Sequence, residues 1–295
     1  MKNNIKGIIL AGGHGSRLLP LTRGISKQLL PVYDKPMIYY PLSTLMLSGI
    51  REILIISTPR DLPRFVDLLG DGSKIGLKIS YKEQLFPNGI AESFIIGTEF
   101  IEGSNVCLIL GDNIFYKKNF NKLLMQASKN LYKGKSTIFS TEVKNSKEFG
   151  VIEYNENNEI SMIVEKPNYT KSNNIVTGLY FYTNDVIEIA AKLKPSKRGE
   201  LEITEINQYY LDRNKLEVLK LESNSIWSDT GTFDSLIETS KYFYEYENKT
   251  GNKIGCVEEI ALKLGYVNKS EFIDLCNSMV NSKYGKYLLK KAEKY

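Results

Sequence analysis

A glycine-rich turn directly follows the first apolar run of the chain. Residues 8–11 are all apolar, and residues 12–17 read Gly-Gly-His-Gly-Ser-Arg. Glycines let backbone N–H groups approach a phosphate closely, and an arginine can hold two phosphate oxygens at once. The spacing is neither that of a Walker A loop nor that of the dinucleotide fingerprint, because Leu18 stands where the fingerprint needs its third glycine. From this segment alone, a phosphate-binding turn and a purely structural turn both remain open.

One lysine and two aspartates complete a set that suits phosphate chemistry. Lys27 follows Arg17 by ten residues, on a connection that can fold back over the glycine turn. Asp112 stands just after the apolar run at 106–110, and Asp229 stands at a predicted strand-to-helix turn. Ligands of open α/β sheets lie beyond the carboxyl ends of strands, and Mg²⁺ takes one or two carboxylates together with phosphate oxygens. We therefore predict a magnesium ion at Asp112 and Asp229; the alternatives are a turn for Asp112 and a helix cap for Asp229.

A glutamate and a lysine end a further strand-like segment. Glu165 and Lys166 stand at its end, and Pro167 stops it. Lys166 can hold a second phosphate while Glu165 accepts sugar hydroxyls, and the alternative is a charge pair on an edge strand. Cationic clamps combined with one divalent ion are the components that phosphoryl transfer requires.

The composition is that of an ordinary globular protein. The chain has 295 residues, of which 42% are hydrophobic and 25% charged, and its formal net charge is +5. So small an excess does not indicate a nucleic-acid partner. Three cysteines stand far apart without a CxxC pair, so neither a zinc site nor a disulfide framework is expected. Because neither a signal peptide nor a membrane-spanning stretch is visible, we expect a cytoplasmic protein without a membrane partner.

Strand-like and helix-like segments alternate through the first half of the chain. Unbroken apolar runs at 7–11, 53–56 and 106–110 are typical of parallel strands covered on both faces. Helices are predicted between them, near residues 39–47, 61–69 and 91–100. This alternation predicts an α/β fold with a doubly wound sheet.

The second half is more mixed, and no linker divides it. Strands are predicted at 137–143, 151–154, 160–165 and 176–182, and helices at 184–193, 202–213 and 233–246. We expect these strands to extend the first sheet, which gives one domain over residues 1–250 with a mixed sheet. Residues 251–295 are predicted to form a separate helical C-terminal segment.

Taken in order, these motifs resemble those of the sugar nucleotidyltransferases, and most closely the glucose-1-phosphate thymidylyltransferases. The matching stretches are GGHGSRLLPLT at 12–22, SKQLLP at 26–31, VYDKPMIYYPLSTLM at 32–46, LGDN at 110–113, EKP at 165–167, VTGLYFY at 176–182, RGELEIT at 198–204 and WSDTG at 227–231. The resemblance spans nearly the whole chain. It implies a Rossmann-like fold, with a C-terminal segment that helps to build a homotetramer and a second, regulatory nucleotide site.

The resemblance also implies a reaction and a role for each matching residue. The substrates would be dTTP and α-D-glucose 1-phosphate, with Mg²⁺ as cofactor and dTDP-glucose, a precursor for dTDP-rhamnose and polysaccharide biosynthesis, as product. The triphosphate would be held by Gly12, Gly13, Gly15, Ser16, Arg17 and Lys27, and the base by Gln28, Gln84 and Gly89. The sugar phosphate would be held by Gly150, Glu165, Lys166, Val176, Tyr180 and Arg198, with Trp227 beside it. The residues implied in catalysis are Arg17, Lys27, Asp112 and Asp229, and the last two would bind the metal.

One departure from the family pattern concerns the base. Residues 84–89 read QLFPNG where relatives usually carry QPSPDG, which leaves a transferase that uses UTP or CTP as an alternative. A non-catalytic sugar-nucleotide sensor is a second alternative, but it would be expected to lose Arg17, Lys27, Asp112 or Asp229. A dinucleotide-binding oxidoreductase is disfavoured by the glycine spacing.

Overall fold

A computed structural model describes residues 5–222 and 225–294 and shows a mixed α/β fold. Its strands are β1 (Ile5–Ala11), β2 (Pro31–Val32), β3 (Lys35–Pro36), β4 (Glu52–Ser57), β5 (Lys78–Glu83), β6 (Asn105–Leu110), β7 (Asn113–Tyr116), β8 (Ser136–Glu142), β9 (Gly150–Tyr154), β10 (Ile160–Glu165), β11 (Asn174–Tyr182), β12 (Leu216–Lys220) and β13 (Ile226–Asp229). Its helices are α1 (Tyr39–Leu47), α2 (Leu62–Leu69), α3 (Glu92–Ile96), α4 (Thr98–Ile101), α5 (Phe120–Tyr132), α6 (Val186–Lys192), α7 (Ile203–Leu211), α8 (Phe233–Thr250), α9 (Val257–Lys263), α10 (Lys269–Asn277) and α11 (Lys283–Ala292).

The central sheet joins both halves of the chain. Its strand order is β10-β9-β11-β6-β1-β4-β5, with β8 on β11 and β12 on β8. The strands β6, β1, β4 and β5 run parallel, whereas β11 runs antiparallel to β6. The predicted extension of the first sheet by later strands, and the mixed sheet that results, are confirmed.

Both faces of β1, β4 and β6 are covered, as their unbroken apolar runs predict. Ile9, Ile53 and Ile55 belong to one buried cluster, and their neighbours Ile8 and Leu54 belong to another on the opposite face. Successive side chains of a strand point to opposite faces, so every position of such a strand must be apolar.

One continuous helix was predicted near residues 91–100, and this prediction is wrong. Two short helices, α3 and α4, occupy this region and meet at Gly97. A Cβ atom at Gly97 would lie 2.9 Å from the Ser93 carbonyl oxygen and 3.1 Å from Ile8 Cδ1. The Gly97 backbone has a φ of −83° and a ψ of 1°, outside the helical range, so the helix is interrupted at this residue.

The C-terminal helices pack onto the same core as the sheet. Val257, Phe272 and Leu288, from α9, α10 and α11, share one buried cluster with Ile9 and Ile53. The predicted helical character is therefore confirmed between residues 251 and 294, and the division at residue 250 stays a prediction. Within the described part of the chain, no helix combines the length and the apolar character needed to cross a bilayer.

Candidate active site

A cavity of about 440 Å³ lies beyond the carboxyl end of β6, next to the glycine turn after β1. Most of the residues predicted to bind metal, phosphate or sugar line it. They are Ser16, Arg17, Asp112, Gly150, Glu165, Lys166, Val176, Tyr180, Arg198, Trp227 and Asp229. The fold therefore brings together residues that are more than 200 positions apart in the sequence.

Lys27 and Asp112 form an ion pair at this cavity. The Lys27 side chain is 14% exposed and that of Asp112 is 12% exposed. Burial by itself would raise the pKa of Asp112, but the charge and hydrogen bond of Lys27 hold that pKa below its usual value. Burial would likewise lower the pKa of Lys27, and Asp112 raises it instead. Both groups are therefore charged at neutral pH.

Lys27 reaches Asp112 because its segment folds back over the glycine turn, as predicted. A Cβ atom at Gly15 would lie 3.5 Å from Lys27 Cβ, and Gly15 has a φ of +59° that favours glycine. The Thr22 hydroxyl donates a 2.8 Å hydrogen bond to the Gly15 carbonyl oxygen, which fixes the connection.

Asp229 is brought to Asp112 by a short antiparallel pair of strands. β13 pairs with β7 so that Asp229 lies opposite Asn113. The Thr230 hydroxyl also donates a 2.8 Å hydrogen bond to the Asp112 carbonyl oxygen. The cap of α8 is Thr232 rather than Asp229, which leaves the Asp229 carboxylate free to face the cavity.

Arg17 balances the second carboxylate. Its Nη2 lies 3.5 Å from Asp229 Oδ2, and a Cβ atom at Gly231 would lie 2.5 Å from that same nitrogen. Glycine at position 231 therefore makes room for the guanidinium group. Burial and, second to it, repulsion from Asp112 raise the pKa of Asp229, although Lys27 and Arg17 oppose this rise.

The two aspartates fit a magnesium ion. Asp229 Oδ1 is buried and has no hydrogen-bond partner among the residues that the structure describes, so it is an acceptor that lacks a ligand. Over the same residues, no group of three or more acidic, cysteine or histidine side chains could hold a metal ion without further ligands. Two carboxylates completed by phosphate oxygens are the donor set that Mg²⁺ commonly takes.

Glu165 lies at the end of edge strand β10 and lines the part of the cavity that is predicted to hold the sugar. It accepts a hydrogen bond from the Thr204 hydroxyl, and Arg198 Nη1 lies 3.4 Å from its Oε1. Burial raises the pKa of Glu165 despite these contacts. Lys166 follows with a φ of +39°, a left-handed conformation that is costly for a lysine.

The residues predicted to contact the base lie together beside the glycine turn. Gln28 Nε2 donates a 3.3 Å hydrogen bond to the Gly12 carbonyl oxygen, and Gln84 Nε2 donates a 3.2 Å bond to that of Gly89. A Cβ atom at Gly12 would lie 2.8 Å from Gln84 Oε1. Gly13, the remaining glycine of the turn, has a φ of +87°.

Comparison with known proteins places the chain in a family. The sequence profile described as nucleotidyl transferase matches residues 6–245. A glucose-1-phosphate thymidylyltransferase of Neisseria meningitidis is 51% identical over 98% of this chain and 100% of its own length. One from Mycobacterium tuberculosis is 48% identical over the same shares of the two chains. The chain belongs to the nucleotidyl transferase family.

Solved structures agree with this membership. A structure assigned as a glucose-1-phosphate thymidylyltransferase of Bacillus anthracis, in complex with sucrose, has a TM-score of 0.74 and 37% identity and covers 81% of this chain and 94% of that chain. UDP-glucose pyrophosphorylase complexed with UDP-glucose has a TM-score of 0.72 and 27% identity and covers 82% of this chain and 99% of that chain. The nucleotidyltransferase is therefore an enzyme with the fold that its sequence predicts.

Asn113 lines the same cavity of this nucleotidyltransferase, although the sequence analysis gave it no role. Its Oδ1 accepts a 2.8 Å hydrogen bond from Trp227 Nε1 and a 3.0 Å bond from the Gly178 N–H, and its Nδ2 donates to Asp112. A Cβ atom at Gly178 would lie 2.7 Å from that oxygen. The side chain thus contacts three motifs of the family pattern, at residues 110–113, 176–182 and 227–231. In the sequence, only its position in the LGDN stretch pointed to such a role.

Proposed function

We propose that this nucleotidyltransferase transfers a thymidylyl group from dTTP to α-D-glucose 1-phosphate and releases dTDP-glucose and pyrophosphate. The observation that carries the proposal is the pairing of two cations with two aspartates at one cavity, Lys27 with Asp112 and Arg17 with Asp229. The relatives that bear the name of this activity match the chain over nearly its full length.

The two ion pairs suit an exchange of partners on substrate binding. Without phosphate, Arg17 and Lys27 neutralise Asp229 and Asp112 within a partly buried cavity, where unpaired charges are unfavourable. A bound triphosphate offers anionic oxygens to Arg17 and Lys27, and the two carboxylates then become available to Mg²⁺. When bound there, Mg²⁺ supplies positive charge that neutralises phosphate oxygens in the transition state.

The reaction needs positioning rather than a catalytic base. An oxygen of the sugar phosphate is already ionised, so it can form a bond to the α-phosphorus while the bond from that phosphorus to the bridging oxygen breaks. The electron pair leaves with pyrophosphate. Two anions must approach each other in this step, and Arg17, Lys27, Lys166 and Arg198 reduce their repulsion and align the attack.

The sugar end of the cavity is suited to a polyhydroxylated ligand. Glu165 is an acceptor for hydroxyl groups, and Gly150 lies beside it, since a Cβ atom there would lie 3.5 Å from Glu165 Oε2. Arg198 is held by carboxylates of Glu165, Glu200 and Glu202 at 2.8–3.4 Å, so we expect it to exchange one of them for the sugar phosphate.

Pyrophosphate release tests the reaction and the base together. The enzyme is assayed with glucose 1-phosphate, Mg²⁺ and each of dTTP, UTP, CTP, ATP and GTP, alongside the Asp112→Ala variant. The highest turnover with dTTP, abolished in the variant, supports the proposal. Preference for another base overturns the thymidylyl assignment, and no turnover with any nucleotide favours a non-catalytic sensor.

UTP is the second candidate nucleotide. The UDP-glucose pyrophosphorylase structure has nearly the same fold similarity as the thymidylyltransferase structure. In addition, Leu85 and Phe86, which depart from the usual family pattern, are 69% and 67% exposed beside the predicted base contacts. Such apolar side chains at the rim of the base site can change which base is accepted.

We further propose that the enzyme acts in the cytoplasm as a homotetramer and supplies dTDP-rhamnose and polysaccharide biosynthesis. The family resemblance of the C-terminal helices supports the assembly. Light scattering behind gel filtration tests it, because a mass equal to one chain would contradict a tetramer.

A further inference from the structure

The side-chain amide of Gln84 is held in one orientation by two acceptors. Its Nε2 donates a 3.2 Å hydrogen bond to the Gly89 carbonyl oxygen and a 2.8 Å bond to Glu92 Oε2. Neither a carbonyl nor a carboxylate oxygen can donate, so only the NH₂ end of the amide can lie between them. Turning the amide over would place its own oxygen against two other acceptors. Gln84 Oε1 therefore points away from Gly89 and Glu92.

That oxygen is an acceptor without a donor beside the glycine turn. It lies close to Gly12, since a Cβ atom there would lie 2.8 Å from Gln84 Oε1. Across residues 5–222 and 225–294, no group donates a hydrogen bond to this oxygen. Unlike the buried Asp229 Oδ1, it is open to solvent, so a ligand atom can reach it. Gln84 thus offers an acceptor to a ligand at the place where the base is expected.

Glu92, the first residue of α3, uses both carboxylate oxygens to hold amides. Its Oε2 accepts from Gln84 Nε2, and its Oε1 accepts a 2.8 Å hydrogen bond from Asn88 Nδ2. A hydrogen bond to a charged acceptor is about twice as strong as a neutral one. Of the two acceptors around Gln84 Nε2, Glu92 is therefore both the nearer and the stronger, and it contributes more than Gly89 to the orientation of the amide.

Pyrimidine bases differ in what they present to a fixed acceptor. Thymine and uracil carry an N–H at ring position 3, whereas cytosine has an unprotonated nitrogen there that can only accept. An amide oxygen placed at this edge bonds to thymine or uracil and repels cytosine, and an amide turned over would reverse the preference. Base choice therefore depends on the orientation of the Gln84 amide as well as on its presence.

We infer that Glu92 is a positioning residue for base selection: it holds the Gln84 amide with Oε1 toward the base and so favours nucleotides with an N–H at ring position 3 over cytidine nucleotides. The inference rests on the proposed function, because it needs a pyrimidine nucleotide beside the glycine turn. It holds equally for dTTP and UTP, since both bases carry this N–H. Glu92 acts through Gln84 rather than on the substrate.

Pairs of nucleotides with the same sugar test the inference. kcat/KM is measured with glucose 1-phosphate, Mg²⁺ and each of dTTP, dCTP, UTP and CTP, for the wild type and for Glu92→Leu. Where turnover of a cytidine nucleotide is too slow, its inhibition constant against dTTP is used. In the variant, the dTTP/dCTP and UTP/CTP ratios are each expected to fall about tenfold, the contribution of one hydrogen bond. The dTTP/UTP ratio is expected to stay within about twofold of wild type. A partly unfolded variant does not disturb these ratios, because the folded fraction is common to all four nucleotides.

An exchange of amide and carboxylate separates orientation from packing. In the double variant Asn88→Asp/Glu92→Gln, the new amide can donate to the new carboxylate while its oxygen accepts from Gln84 Nε2. The wild-type ratios are therefore expected to return. Glu99→Leu is the matched control, because Glu99 lies on the neighbouring helix α4, its side chain is 86% exposed and it pairs with Lys82. It is expected to leave all ratios unchanged.

The outcomes separate the inference from the function on which it rests. If both cytidine ratios in Glu92→Leu stay within about twofold of wild type, the inference is overturned and the activity stands. A double variant that behaves like Glu92→Leu also overturns it, because orientation of the amide would then not account for the loss. A wild type that prefers cytidine nucleotides, or that turns over no nucleotide, contradicts the proposed function itself, and the inference fails with it.

Discussion

Replacing Lys27 by methionine tests the charge balance of the site. The substitution keeps most of the side-chain volume and removes the cation that pairs with Asp112. If Lys27 stabilises the phosphates in the transition state, its loss lowers kcat by about 10²- to 10³-fold, as measured for preorganised charge-stabilising groups. The same change leaves the Asp112 carboxylate buried without its partner in the metal-free enzyme.

The effect on stability follows from the burial of the pair. Both side chains are less than 15% exposed, so Lys27→Met is expected to lower the free energy of unfolding by about 3 kcal/mol. Asp112→Asn is expected to cost less, about 2 kcal/mol, because Lys27 also interacts with Asp229. The double variant has no unpaired charge at this pair, so its loss is smaller than the two single losses combined, by about 2 kcal/mol.

Urea unfolding in EDTA and steady-state turnover with Mg²⁺ measure the two effects separately. Lys117→Met is the matched control, because the Lys117 side chain is 12% exposed and pairs with Glu222 away from the residues that line the cavity. It is expected to leave kcat unchanged. A Lys27→Met enzyme with kcat within about threefold of wild type would refute the transition-state role. Strictly additive losses of stability would refute the coupling between Lys27 and Asp112.

Three further predictions concern the rest of the site. Trp227, the only tryptophan, lines the cavity, so its fluorescence should change on titration with glucose 1-phosphate, and an unchanged spectrum would place the sugar elsewhere. Because burial raises the pKa of Glu165, kcat/KM for glucose 1-phosphate should fall as the pH drops through that raised pKa, since protonation turns one acceptor oxygen into a donor. An acid limb that is the same in Glu165→Gln as in the wild type would contradict this assignment, because it would come from the substrate phosphate alone. Gly89→Ala should cost about 3 kcal/mol in urea unfolding, because φ is +106° and the Cβ would lie 2.4 Å from the Leu201 carbonyl oxygen. Gly13→Ala, with φ of +87° and nothing within 4 Å, should cost only about 1 kcal/mol, and equal losses would contradict the steric argument.

The parallel half of the sheet could be predicted from the sequence because its signal is local. Strands β1, β4 and β6 are buried on both faces, so each contains an unbroken apolar run that ends in a glycine or a polar residue. The edge strand β5 has the mixed sequence KISYKE and gave no such signal. Asp112 was placed correctly for the same reason, since it follows such a run. The break between α3 and α4 was missed because it is set by the backbone conformation of the single residue Gly97, which a helical pattern does not reveal.

The contacts within the site could not be predicted because they are set by strand pairing between distant segments. The approach of Asp229 to Asp112 depends on the register of β13 against β7, and short strands give almost no periodic signal. Asn207 of α7 is buried and lines the cavity, yet it lay within a predicted helix, where an asparagine is usually exposed. Only the packing of α7 against the cavity shows that its amide is buried.

The loop between α8 and α9 illustrates how a region outside the cavity can support it. Lys253, whose side chain is 4% exposed, lies 2.6 Å from Asp34 and 2.7 Å from Glu247. Asp34 is in the turn between β2 and β3, and the segment after this turn is held to the Lys27 region by the 2.9 Å hydrogen bond from the Ile38 N–H to the Gln28 carbonyl oxygen. A charge pair as buried as this one is costly to break. The segment after residue 250 therefore helps to fix the backbone next to Lys27. Because its helices also share the core of the sheet, the residues on the two sides of position 250 are expected to unfold together.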